Sequence, residues 1–460
     1  MKINLELKPE DLTEKINKLW SYSGEKIKSM TAHLQNTSGS PVVTVNGVYE
    51  ARSWTDWTQG FQYGSELLQF NATDDSFYLD LAIRNIKDKM TSHISHFGVH
   101  DHAFNNLSTY GNLLRLLNEG KISQDSWLKE FCILALKLSA SVQAQRWTSI
   151  ADGGFIYSFN GPHSLFVDTI RTIRILNVGH LLRHRSSGEN DIKINLLKRA
   201  YQHALATAKY SIYYGEDRDS YDIWGRTAHE AIFNTNDGNF RSPSTQQGYS
   251  GFSTWTRGLS WAMLGFAEQL EFLQSQENLP ELDELGGKAH LEEIFLKAAR
   301  ATCDFYINHT AKDGIPYWDT GAPGLVHLPD WQKENSNPFN DFEPIDSSAA
   351  AIGAQGMLRL GNYLKKKKVK GADTYWSAGL TVANTLFADP YLSADTDHQG
   401  LILHSIYHRP NGWDYIPENS KIPYGEASMW GDYHARELAH YLNEVIKGES
   451  YYTFFKDITA

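Results

Sequence analysis

Apolar positions recur at helical spacing along most of this chain, and they do so in pairs of unlike segments. Pro9 to about His33 carries Leu12, Ile16, Leu19 and Trp20 on one stripe and reads as a helix. Paired candidates follow at about 58–70 and 74–90, 102–118 and 123–143, 165–184 and 192–214, 255–274 and 289–310, 347–365 and 371–388, with a last helix at 428–446. The first of each pair is apolar and rich in small residues nearly all round, as in Ser347-Ser348-Ala349-Ala350-Ala351-Ile352-Gly353-Ala354; the second carries charge on one face. A helix that is apolar all round is buried, whereas one with a single apolar face lies outside. The pattern predicts six inner and five outer helices, with the N-terminal helix as a sixth outer member that closes the ring, in one all-α domain over residues 1–460. Pro41 to Tyr49, with an Asn46-Gly47 turn, reads as a small β-excursion.

Long loops precede the inner helices, and they hold the unusual residues. These are His93 to His102, Gly153 to His163, and Ile223-Trp224-Gly225-Arg226-Thr227-Ala228-His229. Trp57, Asp101, Asp168, Arg257 and Ser347 fall at or just inside inner-helix starts, which a closed ring of alternating hairpins brings to one mouth. The loop Gln246-Gln247-Gly248-Tyr249-Ser250-Gly251 turns into a helix that Ser253 or Thr254 can cap. Arg257 and Trp261, four apart, share a face near its N-terminal end. A helix start, a guanidinium and a flat aromatic together suit an anionic sugar, although Trp255 and Trp261 could equally be core residues.

Asp101 and Asp168 each sit in the first turn of an inner helix, where an Asp is most often a cap. Facing each other at one mouth they become a candidate acid/base pair, because an apolar wall and a like-charged neighbour both lift a carboxyl pKa towards neutrality. His93, His96, His100 and His102 could be read as metal ligands, but their spacing matches no zinc pattern, so no metal is expected. No nucleophile elbow, P-loop or dinucleotide fingerprint stands between a strand and a helix, which argues against serine hydrolases and nucleotide enzymes.

Composition adds compartment and partner. The 460 residues carry a formal net charge of −11, so nucleic acid is not an expected partner and an anionic substrate needs a local cation. The 13 Trp and 24 Tyr offer stacking platforms for sugars. Cys132 and Cys303 lie inside apolar helical patterns, as small buried hydrophobes do in a reducing compartment. The N-terminus has acidic residues where a signal core would be apolar, and no run reaches membrane-span length. The expectation is a cytoplasmic protein without a membrane partner, monomeric or a small homo-oligomer, or periplasmic if a signal peptide has been removed.

Seven motifs together resemble glycoside hydrolase family 88, the unsaturated glucuronyl hydrolases. They are Trp57-Thr58-Gln59-Gly60-Phe61, His100-Asp101, Val167-Asp168, Gln247-Gly248, Ser253 to Trp261, Gly314 to Asp319 and Asp346 to Ile352, in order between about residues 50 and 440. The resemblance implies an (α/α)6 barrel and removal of a 4,5-unsaturated uronic acid from the non-reducing end of lyase-generated oligosaccharides. The reaction it implies is hydration: an Asp protonates C4 of the vinyl ether, water adds at C5, and the hemiketal collapses without a cofactor. It places the acid/base on Asp168 and the second Asp on Asp101. His229, Gln247, Arg257 and Trp261 are similar to ring- and carboxylate-contacting residues, Trp57 to a pocket aromatic, and His100 goes with the His-Asp motif. Arg171, one turn beyond Asp168, is close enough to pair with it, which would lower the pKa of the acid. Rival readings are an unsaturated rhamnogalacturonyl hydrolase, a polysaccharide lyase on a similar toroid, and a non-catalytic sugar-binding protein.

Overall fold

The structure, a computed structural model, describes residues 1–458. Six inner helices are α2 (Gln59–Thr73), α4 (102–118), α6 (169–181), α8 (Thr256–Ser275), α10 (Ser347–Lys366) and α12 (Met429–Ile446). Six outer helices are α1 (Thr13–Leu34), α3 (Ser76–Lys89), α5 (Ser126–Gln145), α7 (Leu196–Tyr210), α9 (Gly287–Asn308) and α11 (Ala372–Leu386). Each inner helix packs on the next and α12 returns to α2, so the ring is closed; α1 lies against α2 and α12. This is the expected (α/α)6 barrel.

The small residues of the inner helices explain how the ring closes. A Cβ at Gly60 of α2 would stand 2.3 Å from the Cα of Asn105 in α4, and one at Gly356 of α10 would stand 2.8 Å from the backbone of α8. Side chains at those points would push the helices apart. Outer helices instead show one stripe: α1 buries Ile16, Leu19, Trp20, Ile27, Met30 and Leu34 and exposes Glu14, Asn17, Lys18, Ser21, Glu25 and Lys28 on its other side.

Two inner helices are irregular where they approach the mouth. Helix α4 passes through a π segment, Leu107–Gly111, between His102–Asn106 and Asn112–Asn118. Such π turns cluster at functional sites. Helix α6 consists of Thr169–Thr172 and Arg174–Leu181, shorter than the 165–184 expected, because Ser164–Phe166 is a strand. That strand pairs antiparallel with Glu230–Phe233, which pairs in turn with Phe240–Ser244. The apolar run Leu165-Phe166-Val167 does not by itself distinguish helix from strand, and its partner lies far along the chain. The hairpin Pro41–Val45 with Val48–Ala51 forms as expected, with Asn46 and Gly47 at positive φ in the turn. Among the described residues no helix is long and apolar enough to cross a membrane.

Candidate active site

At the mouth, inner-helix starts and the loops before them line a narrow cleft. It is walled by Trp57, Phe159, Phe166, Trp255, Trp261 and Tyr407, and its polar groups are His100, Asp101, Asp168, Gln247 and Arg257. Asp101 is the N-cap of α4 and Asp168 that of α6, yet neither side chain accepts a capping hydrogen bond. Asp75, Asp125, Asn195, Asp346 and Ser428 do cap their helices. The two cleft carboxylates are thus free of the ordinary duty of that position.

His100 lies between them. Its Nε2 is 3.1 Å from Asp168 Oδ2 and 3.7 Å from Asp101 Oδ1, and one oxygen of each carboxylate and this nitrogen all lie within 4.8 Å of one another. Its Nδ1 accepts the Phe159 amide N–H at 3.2 Å. With Nδ1 accepting, the ring proton sits on Nε2, which donates to Asp168. Burial opposes protonation of the ring, but Asp101 and Asp168 outweigh it and raise its pKa above the ordinary value.

Burial pushes the Asp101 carboxyl up to about 6, helped by Asp168 and opposed by His100. Burial acts the same way on Asp168, but hydrogen bonding and charge from His100, with a contribution from His229, bring it below the ordinary value. Of the two carboxyls, Asp101 is thus the one whose affinity for a proton the site raises and Asp168 the one held low. Asp168 Oδ1 is buried without a partner. A buried carboxylate oxygen left bare is costly unless a ligand meets it.

The four histidines do not converge. His93 Nε2 bonds Gln59 Oε1 at 2.9 Å, and His102 bonds Ser139 Oγ and the His96 carbonyl. Burial, with neighbouring charge, lowers the pKa of His93 to about 4 and of His102 to about 3, so both are neutral structural groups. His100, Asp101 and Asp168 are close enough to hold an ion, but a nitrogen that carries the ring proton is not a metal ligand.

Arg171 points away from Asp168. Its guanidinium is buried against Glu268 at 3.2 Å and Glu437 at 2.6 Å, under the Trp261 ring. Arg257 also differs from expectation. It faces the cleft with Trp261, but its Nη1 donates to Asp346 Oδ2 at 2.9 Å and to the Ile406 carbonyl. Its Nη2 donates to the Tyr407 carbonyl and to Gln247 Oε1, both at 2.7 Å. The anion at this helix start is Asp346, so Arg257 is not a free cation for substrate. It instead fixes the Gln247 amide through Oε1, and among the described residues the NH2 of that amide has no partner. Neither Ser253 nor Thr254 caps α8: Ser253 Oγ donates to Asp319 at 3.0 Å and Thr254 Oγ1 accepts the Thr227 amide. Asp319 also takes the Tyr249 amide at 2.8 Å, so a buried carboxylate outside the loop organises it.

The chain aligns over 385 residues with an unsaturated glucuronyl hydrolase of Formosa agariphila, at 26% identity and covering 83% of this chain and 78% of that protein. A second, from a Bacillus species (strain GL1), is 27% identical over 408 residues, 86% of this chain and 89% of that one. The crystal structure of the Bacillus enzyme superposes with a TM-score of 0.70 at 22% identity, covering 94% of this chain and 98% of that chain. This chain is similar to unsaturated glucuronyl hydrolases along most of its length. No protein-family model matches it.

The remaining expected residues are distributed around the dyad. Trp57 stacks on Trp430 at 5.0 Å and its Nε1 donates to the Tyr407 hydroxyl at 3.4 Å. Trp261 is buried against Phe104 and His434 and forms part of the floor. His229 stands one layer back, 4.5 Å from both Phe166 and Trp255, with Nδ1 accepting the Gln246 amide and Nε2 unpaired. Burial lowers its pKa to about 4, against the pull of Asp168, so it is a neutral Nε2–H donor. Tyr407 and Phe166 had not been singled out. Tyr407 lies in the helix-poor stretch 387–428, where an aromatic has no periodicity to give it direction, and Phe166 lies in the strand taken for helix.

Proposed function

We propose that the protein is a glycoside hydrolase that releases a 4,5-unsaturated uronic acid from the non-reducing end of lyase-generated oligosaccharides by hydrating the C4=C5 vinyl ether. The observation that carries this reading is the pair of uncapped carboxyls that meet His100 within 4.8 Å in an aromatic cleft of this barrel, the site pushing the pKa of one up and of the other down. An acid and a base in one dyad are what hydration requires.

The dyad gives its one proton to C4, and positive charge develops at C5 and the ring oxygen. Water adds at C5 and returns a proton to the dyad, so the pair ends as it began. The hemiketal then opens and releases the aglycone with a keto-uronate. Asp168, held by His100 Nε2–H, is the carboxylate placed to receive the water proton, and Asp101 stores the proton at rest. The titration belongs to the pair. Gln247, oriented by Arg257, offers its NH2 to the sugar, and the aromatic walls exclude bulk water and stack on the ring. The buried, unpaired thiols of Cys132 and Cys303 suit a reducing compartment, and we place the enzyme in the cytoplasm.

Mixed with unsaturated disaccharides from several lyases, the enzyme should make the enoate absorbance fall, and should do so equally in excess chelator. A rise in that absorbance on intact polymer would make the protein a lyase. Loss of activity in chelator with recovery on added zinc or manganese would sink the metal-free mechanism. Preference for pectin-derived over glycosaminoglycan-derived disaccharides would turn the reading to a rhamnogalacturonyl hydrolase.

A further inference from the structure

The cations around the cleft are committed, with one exception. Arg257 is held by Asp346, and Arg146 donates to the carbonyls of Tyr157, Phe97 and Ser158. Arg52 is half-buried at the start of the segment leading to Trp57, and among the described residues its guanidinium makes neither ion pair nor hydrogen bond. It stands 5.4 Å from the ring centre of Tyr407 and 5.5 Å from that of Trp413. Stacking uses the face of a guanidinium and leaves its N–H edge for an acceptor. Tyr407 is a wall of the cleft and Trp413 is 46% exposed, so Arg52 sits at the rim where the cleft opens.

The charged group facing it is Asp56, half-buried, whose carboxyl burial raises and Arg52 lowers. The two do not approach within 4.0 Å as an ion pair, so the Arg52 edge is not closed off. A free cation at the mouth of a protein of net charge −11 is a local exception to the field that an acidic ligand meets.

We propose that Arg52 is a specificity residue that binds an anionic substituent, a sulfate ester or a carboxylate, on the sugar next to the unsaturated uronate. The inference rests on the hydrolase reading: with the reacting ring against the dyad on the floor, the next sugar must lie at the rim, beside Arg52 and the Tyr407–Trp413 wall. The floor has no uncommitted cation of its own, so discrimination by charge falls to this residue.

The test compares wild type, Arg52→Ala and Arg52→Lys on three unsaturated disaccharides of one linkage, whose second sugar is neutral, sulfated or carboxylated. Arg52→Ala should lower kcat/KM on an anionic disaccharide roughly ten- to hundredfold, the range of a charge-assisted hydrogen bond, and mainly through KM. The neutral disaccharide should change less than about twofold, Lys should restore part of the loss, and high salt should erode the wild-type preference. A response to the sulfated or to the carboxylated compound alone identifies the substituent. Equal losses on all three compounds, or no wild-type preference for either anionic one, would overturn the proposal. Calorimetric binding of the same compounds to Asp168→Asn, with and without Arg52→Ala, decides the matter separately. If wild type turns over none of the three, the hydrolase reading fails, while the binding comparison still stands or falls on Arg52.

Discussion

Asp168→Asn should cut turnover by roughly 10²–10⁴-fold, the usual loss of a general acid/base, with substrate binding largely kept. The amide keeps the shape of the carboxyl and the His100 contact at 3.1 Å, but cannot take up and give back a proton. Asp101→Asn should lose activity on a similar scale, because the dyad then lacks the group that holds its proton at rest. The pH profile separates the two. Activity that needs a proton stored on a carboxyl near 6 is present below that value and falls as pH rises through it, so kcat/KM of the free enzyme should show a basic limb near 6. Asp168→Asn removes a like charge beside Asp101 and should move the residual limb to lower pH. Asp101→Asn should abolish the limb. Near wild-type turnover in Asp168→Asn, or a basic limb far above neutrality in the wild type, would remove the dyad from the mechanism.

The second large effect lies beneath the floor. Arg171→Met should destabilise the protein by about 3–5 kcal/mol, the cost of breaking a buried ion pair from one side. Arg171 pairs with Glu268 and Glu437, Arg174 adds a contact to Glu268 at 3.1 Å, and all four side chains are buried. Burial raises the Glu437 carboxyl, but Arg171 and Arg174 outweigh it and hold it below its ordinary value. In the wild type this contribution is present above the unfolded pKa and lost only as acid reaches the lowered folded one. In Arg171→Met the burial of Glu437 is opposed only by Arg174 and Arg359, so its carboxyl rises, and the deficit is largest above neutrality and shrinks on acidification. Urea midpoints across pH measure this. A variant as stable as wild type at every pH would show that the network supplies shape rather than stability. Trp261 rests on the Arg171 guanidinium at 5.8 Å, so the variant should also lose activity in proportion to its disturbed floor.

Much of the architecture was legible in the chain because it depends on local periodicity. The all-round apolar segments with Gly and Ala became the inner helices, and the one-faced segments became the outer ones. Trp57, Asp101, Asp168 and Arg257 could be placed at one mouth from their positions at helix starts, since a closed ring of hairpins leaves those starts no other place. Residue type and position did not decide what each group does there. An Asp at an N-cap reads alike whether it caps or not, and only the structure shows the Asp101 and Asp168 side chains uncommitted.

Partner choice was decided by tertiary structure, because charges and hydrogen bonds pair across space and carry no periodic trace along the chain. The Asp346 that neutralises Arg257 lies 89 residues away, and the Glu268 and Glu437 that draw Arg171 off Asp168 lie 97 and 266 residues away. The Phe159 amide that fixes the His100 tautomer is 59 residues distant, and with it went the order of the two carboxyl pKa values. The strand Ser164–Phe166 forms because Glu230–Phe233 reaches it. The sequence by itself determined the barrel and the neighbourhood of the dyad, through hydrophobic period and helix ends. Only the folded chain decided which carboxyl pKa is raised and which lowered, because burial and neighbouring charge are properties of the assembled mouth.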